Sequence, residues 1–278
     1  MDYNVNVIER FRLDGKTAVV TGGAGNIGSH SAEALAQAGA NVAIVDLPGC
    51  LKSAKDIVKK LTEQYNVKAV GYGCDLVDEK AVEELFDQIE SDFGRVDVVH
   101  NNAGVGGALV PDIENWDSEH DMPHIDHFKQ VIENNLVSVY IVAVVAARRM
   151  IREQHGGSII NTASLNAHVV NMGTLFETMD DSSYSVSKAG VLQFTKHFAS
   201  QVAKYQIRVN SISPGYCYSP KLYDGLTKEI LDMYNHSQPA KRMMKVEELQ
   251  GAILYLASDA SSYCFGMDIL IDGGHVIW

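Results

Sequence analysis

From residue 17 onward, short runs rich in Val, Ile and Ala alternate with longer stretches whose apolar residues return every third or fourth position. The short runs cover 17–21, 42–46, 69–74, 96–101, 158–162, 208–213 and 268–271. Their length and β-branched content predict strands. The longer stretches, 27–38, 54–65, 79–93, 127–154, 184–205 and 246–258, carry the helical period. Strands separated by helices cannot close as hairpins, so the pattern predicts an α/β fold, a doubly wound parallel sheet covered on both faces.

Two regions break the periodicity, 105–126 and 165–183, and each follows a predicted strand. In a sheet of this kind the loops at the carboxyl ends of the strands form the ligand crevice. No repeat or low-complexity linker interrupts the pattern, so 1–278 reads as a single domain with 1–14 as an N-terminal extension. The longest apolar run, 136–147, is interrupted only by Ser138 and is too short to span a bilayer. A helix apolar on most sides suits a subunit interface, so a homo-oligomer is expected.

Composition narrows the partners. With 46% hydrophobic and 21% charged residues, the chain reads as an ordinary soluble globular protein. A formal net charge of −12 and no cluster of Lys or Arg argue against nucleic acid or an anionic membrane as partner. Cys50, Cys74, Cys217 and Cys264 lie far apart without paired spacing, as expected of reduced thiols in a cytoplasmic protein. Residues 1–10 have neither a basic head nor a continuous apolar stretch, so no secretory signal is read there. His120, His124 and His127 lie among Asp117, Glu119, Asp121 and Asp126, but Pro123 would break a helix aligning them. No metal site is expected.

The segment 18–28, Ala-Val-Val-Thr-Gly-Gly-Ala-Gly-Asn-Ile-Gly, runs from a strand into a glycine-rich turn that opens a helix. Gly22, Gly25 and Gly28 let backbone approach a pyrophosphate, and the N–H groups of the helix start, around Asn26 and Ile27, face its charge. An ordinary tight turn would look the same. Asp46, at the end of the second strand, changes the balance, because its carboxylate can accept hydrogen bonds from the adenosine ribose hydroxyls. It would repel a 2′-phosphate, and no Arg or Lys stands in the turn or just after Asp46. The expected cofactor is therefore NAD rather than NADP. Asp75 and Leu76 follow the third strand, where a side chain can meet the adenine edge. Asn102, Ala103 and Gly104 end the fourth and leave room for a cofactor across the sheet edge. Together these features describe a Rossmann-type site.

Tyr184 and Lys188 stand four apart at the start of a predicted helix, so phenol and ammonium share one face. A phenol acting as a base near neutrality must be stabilised as phenolate by about 4 kcal/mol. A unit charge about 4 Å away at an effective dielectric of about 20 supplies that amount. Such a pair is common on helix surfaces. Here, however, Ser164 ends the strand before it, placed to hydrogen-bond a substrate oxygen. Asn135 lies inside the long apolar helix, where an amide without a partner is costly. It marks either a kink that holds water and passes protons from Lys188, or an inward-facing structural amide.

In this order Thr21 to Gly28, Asp75, Asn101 to Gly104, Asn135, Ser164, Tyr184, Lys188 and Ser213-Pro214-Gly215 resemble the short-chain dehydrogenase/reductase family in its classical form. The resemblance covers nearly the whole chain. It implies an Asn135, Ser164, Tyr184, Lys188 tetrad with Tyr184 as general acid/base and Lys188 also on the nicotinamide ribose. It also implies that Pro214, Gly215 and the stretch 216–219, with Ser219 as hydroxyl donor, hold the carboxamide. Asn26 occupies a position that is glycine in the family, and the same turn fits the pattern of the family's extended branch. Length and the Asn-Asn-Ala-Gly turn favour the classical branch. Asn is the non-glycine residue that best accepts a left-handed backbone.

Residues 165–183 look like an insertion, and with 216–240 they are the expected substrate loops. Glu177, Asp180 and Asp181 would disfavour an anionic substrate there. The ends of the chain, with Val209 to Tyr216 and Asp272-Gly273-Gly274, are similar to the polyol branch, which includes D-arabinitol and mannitol dehydrogenases and sorbose reductases. The resemblance implies oxidation of a polyol or sugar-like secondary alcohol to a ketone in a dimer or tetramer. A hydroxysteroid dehydrogenase, with Tyr216, Tyr218, Leu222 and Tyr223 lining an apolar cleft, and a 3-oxoacyl reductase are the enzymatic alternatives. An NAD-binding sensor is the alternative outside enzymes, although a sensor needs no proton-transfer pair.

Overall fold

The computed structural model describes residues 6–106, 125–170, 182–224 and 226–278. Seven strands, β1 (Thr17–Thr21), β2 (Asn41–Asp46), β3 (Ala69–Gly73), β4 (Val98–Asn101), β5 (Gly157–Thr162), β6 (Ile207–Pro214) and β7 (Asp268–Ile271), form one sheet. All neighbours pair in parallel, in the order β3-β2-β1-β4-β5-β6-β7. The predicted doubly wound α/β sheet is present, in a single domain. β4 begins two residues later than its sequence suggests. Asp97 lies before the ladder, where its carboxylate accepts the Thr17 N–H at 2.9 Å.

Alternate residues of each strand face opposite layers. On one face α3 (Glu79–Phe93), α5 (Ser138–Glu153) and α6 (Ser182–Val202) lay Phe86, Ile89, Met150 and Phe198 against Val19, Val99, Ile159 and Val209. On the other, α1 (Asn26–Gln37), α2 (Leu51–Tyr65) and α9 (Gln250–Ala257) cover Val20, Ile44, Ile160 and Ile212 with Leu35, Leu61, Ile253 and Leu256. Each such side chain contributes about 1.5–3 kcal/mol on burial. The core fixes the strands, and the strands fix where the loops at their carboxyl ends emerge. The chain winds from β1 toward β3 and then crosses to β4 on the other side, so the crevice opens between β1 and β4.

The expected helix 127–154 is three segments rather than one. α4 (Ile125–Ile132) passes through a π turn at Glu133–Val137 into α5. Such bulges widen the helical ladder and are common at functional sites. The predicted helix 246–258 likewise starts as a 3-10 turn, Val246–Leu249. Among the described residues, Ile125–Glu153 is the one helical stretch long and apolar enough to cross a membrane, and half of its most apolar window is buried within the molecule. After β6 the chain forms α7 (Pro220–Tyr223) and α8 (Lys228–His236).

Candidate active site

The turn between β1 and α1 is tight because glycine makes it so. Gly22 has φ +59°, and a methyl group on Gly28 would stand 2.1 Å from the Gly22 carbonyl oxygen. The end of β4 closes over it. The Asn102 side chain donates to the Thr21 and Gly22 carbonyls at 3.2 and 3.3 Å, and Thr21 Oγ1 accepts the Asn102 and Ala103 N–H groups. Asp46 is fixed from two sides, its Oδ2 accepting from Ala24 N–H at 2.9 Å and its Oδ1 from Leu47 N–H at 2.8 Å. Gly25 caps α1, whose first N–H groups, on Asn26, Ile27 and Gly28, precede the intrahelical ladder. A backbone cradle too narrow for side chains, ending at a helix N-terminus beside a carboxylate, fits a dinucleotide.

Asn26 corrects one expectation. It is the first residue of α1 and is not among the residues with positive φ, so no left-handed backbone is required of it. Its side chain instead donates to the Tyr218 carbonyl at 3.1 Å, joining the glycine turn to the loop after β6. Asp75 accepts from Val77 N–H in its own turn, next to the buried Leu76.

Tyr184 and Lys188 lie in the first turns of α6. Lys188 is buried, with Nζ 5.8 Å from the centre of the Tyr184 ring and donating to the Thr162 carbonyl at 2.9 Å. Asn135 comes out of the π turn fully buried. Its Oδ1 accepts Val105 N–H at 2.7 Å, while its Nδ2 donates to the Val105 carbonyl at 3.0 Å and to Ser187 Oγ at 3.2 Å. The amide therefore faces inward and holds the chain that leaves β4. A methyl group at Gly104 would stand 3.0 Å from Asn135 Oδ1 and 3.5 Å from Lys188 Nζ, so the two helices converge on that glycine. Ser164 caps the 3-10 turn Leu165–Ala167, its Oγ accepting Asn166 N–H at 3.2 Å, a bond that leaves its own hydroxyl hydrogen uncommitted. Beneath them His100 is enclosed, its Nε2 2.9 Å from Thr162 Oγ1, and burial pushes its pKa down to about 3. His100 is neutral at physiological pH and titrates with nothing in the site.

Burial lowers Lys188 from 10.5 to about 8. Below pH 8 the ammonium is charged in both the folded and the unfolded chain, and the full penalty for burying it is present. Between about pH 8 and 10.5 the unfolded chain holds a proton that the folded one has lost, so this group's contribution to stability rises with pH. Thermal unfolding of Lys188→Met and of the wild type across this range is expected to show the difference between them changing in favour of the wild type. A difference independent of pH would show that Lys188 is not desolvated.

A short-chain alcohol dehydrogenase family model, described as enoyl-(acyl carrier protein) reductase, matches residues 22–275. The chain belongs to the short-chain dehydrogenase/reductase family. It is 37% identical to a sorbose reductase from Candida albicans over 97% of this chain and 90% of that one. An NADP-dependent mannitol dehydrogenase from Alternaria alternata is 35% identical, over 96% and 94%. An NADH-dependent L-xylulose reductase from Ambrosiozyma monospora is 34% identical, over 98% and 98%. A crystal structure of a short-chain type dehydrogenase/reductase from Mycobacterium marinum superposes with a TM-score of 0.85 at 35% identity, covering 97% of this chain and 99% of that one. The protein is thus an oxidoreductase of the kind that acts on CH–OH groups with a nicotinamide dinucleotide.

In this short-chain dehydrogenase/reductase the segment after β6 is held against β7. Gly215 donates its N–H to the Ile271 carbonyl at 2.7 Å, and a methyl group on Gly215 would meet the Asp272 backbone at 2.6 Å. Pro214 ends β6, and the buried Ser219 starts α7. Tyr216 packs edge-on against Tyr234 and His275, and Tyr223 edge-on against Tyr234. Tyr218 stacks on Tyr223 and donates a short hydrogen bond to Asp224. Burial, with the neighbouring phenols of Tyr234 and Tyr216, raises the Tyr223 pKa. Sequence reading picked out Tyr216, Tyr218 and Tyr223 but missed Tyr234 and His275, which arrive from α8 and the C-terminal turn. Glu177, Asp180 and Asp181, together with His120 and His124, lie outside the described residues, as does the side chain of Leu222.

Proposed function

We propose that this enzyme is an NAD-dependent dehydrogenase/reductase that interconverts a secondary alcohol and a ketone, with a polyol or sugar-like substrate. The observation that carries the reading is a buried ammonium, Lys188, one helical turn from Tyr184 and converging with Asn135 on Gly104. Gly22, Gly25, Asn26, Ile27 and Gly28 would hold the pyrophosphate, Asp46 the adenosine ribose, and Asp75 and Leu76 the adenine. Asn102, Ala103 and Gly104 would border the nicotinamide half, Tyr184 and Lys188 its ribose, and Pro214, Gly215 and Ser219 its carboxamide. Asp46 supports NAD, since its fixed carboxylate keeps acceptor capacity for ribose hydroxyls and repels a 2′-phosphate. When bound, the nicotinamide supplies the hydride acceptor, or the donor in the reverse direction.

The residues of this chain manage the proton. Ser164 donates a hydrogen bond to the substrate oxygen and orients it toward Tyr184. Tyr184 as phenolate takes the hydroxyl proton, and in reduction the phenol returns it to the carbonyl oxygen. Lys188, charged below about pH 8, stabilises the phenolate across a medium of low polarity. Asn135 anchors the Val105 backbone, where the chain leaves β4. Loops 165–183 and 216–240 would border the substrate. Partly exposed Val137, Tyr140 and Val186 on the outer face of the π turn, α5 and α6 support assembly as a dimer or tetramer. Four free cysteines, Cys50 exposed among them, suit a cytoplasmic enzyme.

The partly buried tyrosine cluster also favours a second reading, a hydroxysteroid dehydrogenase, because an apolar ring system would fit against such a wall. Initial rates of NAD⁺ and NADP⁺ reduction with acyclic polyols, cyclic sugars and hydroxysteroids separate the two. The highest kcat/KM is expected for a polyol with NAD⁺. A hydroxysteroid turned over faster would replace the substrate assignment, and a preference for NADP⁺ would overturn the role given to Asp46.

A further inference from the structure

His168 stands just beyond the turn that Ser164 begins. The Ala167 N–H bonds to the Ser164 carbonyl at 3.0 Å and the His168 N–H to the Leu165 carbonyl at 2.9 Å, so 164–168 moves as one hydrogen-bonded unit. Its first end is fixed by β5. Its far end is fixed by the His168 side chain, whose Nε2 lies 3.0 Å from Asp268 Oδ2 and 3.2 Å from Ser213 Oγ. A carboxylate only accepts, so Nε2 carries the hydrogen. Asp268 Oδ1 also accepts from Ser211 Oγ at 2.6 Å and Ser213 Oγ at 3.0 Å, which aims the carboxylate at His168. Asp268 belongs to β7, and Ser213 immediately precedes Pro214-Gly215.

We infer that His168 is a positioning residue whose clasp on Asp268 and Ser213 locks the Ser164 turn to the strand that leads into the Pro214–Ser219 loop. The two segments flanking the reacting carbon are thereby set relative to each other, the clasp adding a second tie beyond the Ala163 N–H bond to the Ile212 carbonyl at 2.8 Å, which joins the end of β5 to β6. The inference rests on Ser164 being the hydrogen-bond donor to the substrate oxygen. A charge-assisted hydrogen bond of this kind is stronger than a neutral one, and displacing a catalytic hydroxyl by about 1 Å costs up to about a hundredfold in rate. Placement of Ser164 acts on the transition state, so the loss falls on the chemical step rather than on cofactor binding.

The test uses single-turnover NADH formation by full-length enzyme pre-incubated with NAD⁺ and mixed with saturating alcohol, beside NADH affinity and thermal unfolding. His168→Leu is expected to slow the single turnover ten- to hundredfold while NADH affinity stays within about twofold. His168→Gln, which restores a donor, should recover most of the rate. Asp268→Asn keeps the shape of the side chain and should slow the step in the same direction, and adding it to His168→Leu should cost nothing more. An unchanged rate in His168→Leu, additive effects of the pair, or equal losses of rate, NADH affinity and unfolding temperature without rescue by Gln would overturn the clasp. Tyr184→Phe run in parallel separates the failures. If it is inactive while His168→Leu is normal, the clasp alone is wrong; if it is active, the reading of the site falls and the clasp with it.

Discussion

Tyr184→Phe is expected to lower kcat by about two to four orders of magnitude, the usual contribution of one positioned acid/base group. The substitution removes one oxygen and leaves the ring in place, still packed at the start of α6 with Lys188 buried behind it. NADH affinity should change little, because the cradle from Gly22 to Gly28 and the Asp46 carboxylate lie on β1, α1 and β2. The loss should appear equally in kcat and kcat/KM, as for a group that acts mainly in the transition state. Steady-state rates paired with fluorescence titration of NADH check both halves. Turnover within tenfold of wild type would remove Tyr184 from the chemistry.

Gly28→Ala is expected to cost the enzyme its cofactor. The added methyl would stand 2.1 Å from the Gly22 carbonyl oxygen, 2.8 Å from its carbon and 2.9 Å from Asn102 Nδ2. Backbone on one side and a hydrogen-bonded amide on the other leave no flexible chain end to yield. The turn must open, and the Asn102 bonds to Thr21 and Gly22 go with it. Overpacking of this kind costs about 1–3 kcal/mol of stability. The distorted N-terminus of α1 should weaken NADH binding by about a hundredfold or more, as if two charge-assisted hydrogen bonds were lost. Titration of NADH into the variant measures it directly, alongside thermal unfolding to confirm that the fold persists. A Gly28→Ala protein that binds NADH like wild type would show that the dinucleotide lies elsewhere.

The sheet and the glycine turn of the candidate site were legible in the sequence for physical reasons. Buried parallel strands need β-branched runs and their covering helices need a helical period, so the seven strands were placed to within about two residues. Gly22 and Gly28 announce the turn because no other residue fits the contacts they make. What stayed hidden depends on contacts distant in sequence. The apolar period runs unbroken through 133–137, and the π turn shows itself only once Asn135 meets the backbone of Val105. The left-handed role anticipated for Asn26 followed from its place in a motif, whereas its φ is set by α1 and its side chain by Tyr218. His168 and Asp268 share no local pattern, and Tyr234 and His275 join the tyrosine cluster from separate elements. Loops are where sequence logic is weakest, because no apolar period marks them.

In the proposed reaction Tyr184 accepts a proton while a carbinol carbon gives hydride to NAD⁺. The most direct measurement is one turnover by enzyme pre-incubated with NAD⁺ and mixed with a polyol, either unlabelled or deuterated at the reacting carbon, with NADH and released protons followed together. About one NADH and one proton per site are expected, with slower formation from the deuterated alcohol and almost no signal from Tyr184→Phe. Tight NAD⁺ binding with no NADH formed from any polyol or other secondary alcohol would contradict it and leave a protein that only binds the dinucleotide.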